Sequence, residues 1–156
     1  MIVALLTVHL IAFAIWVGNL VALPITVRLL RPLADPKLQA AYFPKMGRAF
    51  GIVGTAALVV AILSGAILAG APGEWSGAVL GALVTGLVVL AITMVAMVQA
   101  RRVGRLRRAL AHGDATGEAA RRHLATQVRL TDIGRAVIIV GTLVGVVLEA
   151  AAIAAI

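Results

Sequence analysis

Four stretches of this chain stay apolar over the length of a membrane-crossing helix, and no other feature constrains its fold as strongly. They run from about Ile2 to Val27, Phe50 to Ala71, Val79 to Ala100 and Ile133 to Ile156. A hydrocarbon core of about 30 Å is crossed by roughly 20 residues of α-helix, which satisfies its own backbone hydrogen bonds where no water is present. None of the four alternates apolar and polar residues as a membrane β-strand does. The sequence therefore predicts an all-α membrane protein, a four-transmembrane-helix bundle forming one integral membrane domain over residues 1–156. Composition agrees: 62% of residues are hydrophobic and 13% charged, against roughly 45–50% and about 25% in soluble domains. No basic residue precedes Arg28, so the first stretch lacks the positive start of a signal peptide and reads as a permanent span.

The charges then orient the bundle. Between the first and second spans lie Arg28, Arg31, Lys37, Lys45 and Arg48 against Asp35. Between the third and fourth, and on their flanks, lie the run Arg101, Arg102, Arg105, Arg107 and Arg108, followed by Arg121, Arg122, Arg129 and Arg135. The connection Ala71–Ser76 carries no basic residue, only Glu74. Every Lys and Arg thus falls on one side, which the positive-inside rule assigns to the cytoplasm, with both termini outside. The implied setting is a bacterial inner (plasma) membrane, crossed several times. A net charge of +8 is explained by this sorting and calls for no nucleic acid. Anionic lipid headgroups are the expected partners of the basic connections, the Arg101–Arg108 run above all.

Smaller signals mark the connections. Pro32, Pro36 and Pro44 are expected to break the first loop into short pieces. Trp75 is placed like an interfacial anchor in a tight turn, and His112-Gly113-Asp114 reads as a second turn. The polar segment Glu118–Asp132 should extend the fourth helix beyond the membrane. Small-residue stripes, Gly77/Gly81/Thr85 and Gly134/Gly141/Gly145, are expected at helix–helix contacts, within the chain or across a homodimer.

Polar groups inside spans are expensive and tend to face the bundle interior. In the first span, His9, Ala12, Trp16, Asn19, Leu23 and Thr26 follow steps of three and four, the seam of a packed helix. His9 and Trp16 are nearly eclipsed on that seam. The imidazole is a candidate ligand for a metal or haem, or a proton carrier, with Trp16 and Asn19 lining the same pocket; it serves equally well as a packing residue hydrogen-bonded to a neighbouring helix. Glu149 follows the glycine face of the fourth span and is the one carboxylate within an apolar run. His9 and Glu149 lie at similar depths from the two chain ends, so both are expected to face one polar pocket. Met94 and Met97 read as core filler rather than a copper pair.

His9, Trp16-Val17-Gly18 and Leu23-Pro24 before a basic loop resemble two related groups of small bacterial membrane proteins. These are the HemJ-type protoporphyrinogen oxidases and the copper-resistance protein D group. The resemblance implies a four-helix scaffold, with His9 and Trp16 at a cofactor pocket and haem or a porphyrin as the cofactor; copper is the alternative. The chain departs from the HemJ pattern at Ile25, where an arginine is usual, and in having no lysine early in its third span. Three functions follow as expectations: a membrane protein that binds a cofactor, with or without redox chemistry, using His9, Trp16, Asn19 and Glu149; a copper or small-solute transporter; or an accessory subunit whose seam serves packing alone. The charge pattern generates a first test. A reporter fused after Ile156 should behave as periplasmic, and a cytoplasmic signal would overturn the orientation.

Overall fold

A computed structural model describes residues 1–30, 32–33, 35–70, 77–112 and 118–154. The turns expected at Ala71–Ser76, with Trp75, and at Gly113–Asp114 lie outside the described residues. Four helices make up the described chain: α1 (Ile2–Leu30), α2 (Pro36–Gly70), α3 (Gly77–His112) and α4 (Glu118–Ala154). Each is long and apolar enough to cross a membrane. There are no strands among the described residues.

The helices are longer than the apolar stretches that announce them. α3 runs 36 residues and carries Arg101–Arg108 as helix, not loop, because Arg, Leu and Ala are good helix formers once the membrane requirement ends. α4 is continuous from its polar start at Glu118, where Arg122 reaches back 2.6 Å to the Glu118 carboxylate one turn earlier. The prolines correct the sequence reading. Pro36 opens α2, where its missing N–H would have had no partner in any case, but Pro44 lies inside α2 and Pro24 inside α1. Neither ends its helix; in each case the surrounding helix absorbs the single lost backbone bond, as membrane helices commonly do.

α1 packs closely on α2 and α3 on α4, while α2 joins the two pairs through α3. Contacts run from the start of α1 to the ends of α2 and α4, as from His9 to Ser64 and to Glu149. The start of α3 likewise meets the end of α4, Gly81 facing Leu148. The topology is therefore up-down-up-down, with the start of α1 and the end of α4 at one end of the bundle and the basic segments at the other. The core is small. Trp16, Ala57, Leu58, Val89 and Ile138 form its centre, and many large apolar side chains face outward, as lipid solvation permits.

Without a hydrophobic drive between helices in lipid, close backbone approach carries the packing. A Cβ on Gly141 would fall 2.7 Å from Val89 Cγ2, and Val has few rotamers with which to yield. Gly81 and Gly145 also face the neighbouring helix, at 3.4 Å from Leu148 and 3.8 Å from Thr85. Gly77 and Gly134 meet nothing within 4 Å, so the expected stripes are tight only in part. Gly141→Ala should thus cost roughly 1–3 kcal/mol by overpacking, whereas Gly134→Ala should leave the melting temperature in detergent unchanged. Equal melting of the two variants would contradict this packing.

Candidate functional site

The seam of α1 is buried where it starts: His9, Ala12 and Trp16 are the buried residues of this helix. Further along, Asn19, Leu23 and Thr26 are only half-buried. His9 lies against α2. Its Nδ1 is 2.9 Å from the Ala61 carbonyl oxygen and 3.1 Å from Ser64 Oγ. A carbonyl only accepts, so Nδ1 carries the hydrogen and donates it. Ser64 in turn directs its hydroxyl 2.6 Å to the Val60 carbonyl, which leaves an oxygen lone pair for His9. Phe13, one turn on, stacks beside the imidazole with centroids 6.5 Å apart. Gly65 makes the approach possible, since a Cβ there would lie 3.0 Å from His9 Cε1.

With Nδ1 committed, the other ring nitrogen faces α4. Nε2 is 3.6 Å from Glu149 Oε2, too long for a direct hydrogen bond but well within ion-pair range. Both charge arrangements are chemically complete here. An imidazolium can face a carboxylate, or a neutral imidazole can face a carboxylic acid, with one proton moved between them. His9 is 8% exposed, and the Glu149 side chain, at 41%, is the more open partner. Seven residues deeper, Trp16 Nε1 donates to Thr142 Oγ1 over 3.2 Å. The Thr142 hydroxyl donates 2.8 Å to the Ile138 carbonyl. Trp16 is thus a strut from α1 to α4 with its polar handle satisfied.

His9, Trp16 and Glu149 line one cavity of about 260 Å³, together with apolar groups of all four helices and the hydroxyl residues Thr85 and Thr142. The cavity exists because α1 and α4 meet through long side chains and not through closely packed backbones. Asn19 does not line it. Its amide nitrogen is buried without a hydrogen-bond partner against α2, 2.9 Å from where a Cβ of Gly54 would sit. The seam turns towards α2 at this level, so the fourth residue named from sequence is separated from the other three.

Several contributors escaped sequence reading. Ala61, Ser64 and Gly65 on α2 position the imidazole, and Thr142 anchors the indole. A signal was present in α2: Gly54, Ala57, Ala61 and Gly65 are small residues in steps of three and four, a face along which another helix can lie close. Among the described residues no three of His, Asp and Glu come together as a metal-binding group. Met97 sits beside Thr55, with its sulfur 3.8 Å from the hydroxyl, Met94 is exposed, and neither lines the cavity. His123 is exposed on α4, and the His112 side chain lies outside the described residues. No protein-family model matches the chain, and neither the curated proteins nor the solved structures include a significant match.

Proposed function

We propose that this multi-pass membrane protein holds a small, largely apolar cofactor or ligand in the cavity lined by all four helices, with His9 and Glu149 as its polar anchor. One observation carries the reading: an imidazole and a carboxylate stand 3.6 Å apart at the wall of an otherwise mostly apolar cavity. Ionisable groups within membrane spans mark functional sites by default, and a few polar groups in an apolar cavity are the usual form of a small-molecule site. The pair gives the ligand a hydrogen-bond donor or acceptor and a place to leave or take one proton. Glu149, the more open member, meets the ligand first. His9, held through Nδ1, keeps its orientation while protons move at Nε2.

Size narrows the ligand. A dry apolar cavity of about 150 Å³ accommodates benzene, and pockets for drug-sized ligands span roughly 300–1,000 Å³. At about 260 Å³ the cavity suits a molecule, or the head of a longer one, of one or two rings. A porphyrin, the cofactor implied by the resemblance, is larger than this and would have to extend beyond the cavity, with His9 as the single imidazole among the described residues that line it. Copper, the alternative, would find two donors there, His9 and Glu149, and no thioether. The positive-inside rule supports placing the basic end in the cytoplasm, which opens the site towards the outer half of a bacterial inner membrane.

Native mass spectrometry and absorption spectra of the full-length protein, purified in mild detergent, test the reading. A bound small molecule should accompany the wild type, and its occupancy should fall roughly 10- to 100-fold in His9→Ala and Glu149→Gln, the worth of a hydrogen bond to a charged group. A wild type that carries nothing, with Glu149→Gln lowering the melting temperature, would reduce the pair to packing. A Soret band lost in His9→Ala would overturn the size argument.

A further inference from the structure

A second recess lies at the opposite, basic end of the bundle. It measures about 610 Å³ and takes its apolar wall from Leu23, Pro24 and Val27 of α1 and Phe43 of α2. Two arginines line it as well, Arg28 from the last turn of α1 and Arg135 from α4. Gly47 of α2 also lines it. No carboxylate is among its lining residues. Within the described residues neither arginine has a carboxylate in ion-pair range.

We propose that this recess binds an anionic phospholipid, its headgroup phosphate held between Arg28 and Arg135 and the start of an acyl chain lying on Leu23, Val27 and Phe43. Two like charges lining one recess repel, and an anion between them reverses the sign of that energy. Guanidinium forks match phosphate oxygens two at a time. The apolar wall selects among anions: a free phosphate gains nothing from it, whereas a lipid lays its chain on the half-buried Leu23, Val27 and Phe43. The recess is also where such a lipid is found, at the junction of apolar span and basic segment, the setting in which basic pockets between helices recognise anionic headgroups. This site is separate from the His9–Glu149 cavity and does not depend on what that cavity holds.

The experiment places the full-length protein in phosphatidylcholine nanodiscs with increasing phosphatidylglycerol and follows the melting temperature and the lipid adducts retained in native mass spectrometry. Phosphatidylglycerol should be preferred by the wild type. The preference should drop roughly 10- to 30-fold in Arg28→Gln/Arg135→Gln, at about 1 kcal/mol for each arginine. It should fall by less in Arg101→Gln/Arg102→Gln, which removes the same charge from the basic run of α3, at positions as exposed as Arg28 and Arg135. Should the first pair fail to fold in phosphatidylcholine alone, Arg28→Lys and Arg135→Lys keep the charge, lose the fork and should each weaken the preference. An equal loss from both glutamine pairs would mean a diffuse basic face and no site. Protection by inorganic phosphate equal to that by phosphatidylglycerol would mean an anion site without a lipid, and either result overturns the proposal.

Discussion

In lipid a helix gains little by turning an apolar face towards another helix, because the surrounding chains are as apolar as leucine. What holds this bundle together is therefore what lipid cannot supply: close backbone approach and polar contacts between helices. The structure concentrates both on a few residues. Gly141 lets α3 and α4 meet, and Gly54 and Gly65 do the same for α1 and α2. His9 and Trp16 then fasten α1, the first sideways to Ala61 and Ser64 of α2, the second across to Thr142 of α4. The two pairs of helices are thereby held together yet not closed on each other along α1 and α4. The cavity is the consequence.

That arrangement explains why one end of the bundle can hold ionisable groups. An unpaired charge in hydrocarbon is costly, and His9 avoids it by committing one nitrogen to a backbone carbonyl and presenting the other to Glu149. The same pattern, a ring N–H on a carbonyl, fixes the orientation of functional histidines generally. Trp16 closes the floor beneath the pair and spends its own N–H on Thr142, so no unsatisfied donor is left facing the cavity from the indole. Asn19, displaced towards α2, keeps an unpartnered amide, a cost of about 1–3 kcal/mol that nothing in the structure explains.

Much of this was legible in the sequence, for physical reasons. Membrane thickness sets span length, so four spans could be counted. The side-chain period of a helix puts His9, Ala12 and Trp16 on one face, and these three are the residues of α1 that are buried. Equal depth from the chain ends brings His9 to Glu149. Less legible was anything that depends on how two helices rotate against each other. A seam states which face is inward but not which neighbour it meets, and Asn19, on the seam of His9 and Trp16, packs on Gly54 outside the cavity. Helix ends were obscured because hydropathy stops at the membrane while helix propensity does not, as the run Arg101–Arg108 illustrates. Pro44 misled for a related reason, since a proline removes one backbone bond and a long helix survives the loss.

The account rests on the state of one imidazole, and nitrogen-15 solid-state NMR of the labelled protein in bilayers reads it directly. His9 is expected to show a protonated Nδ1 coupled through space to the Ala61 carbonyl, with Nε2 in dipolar contact with the Glu149 carboxyl carbon. A His9 bare at Nδ1 and protonated at Nε2, with no contact to Glu149, would contradict it.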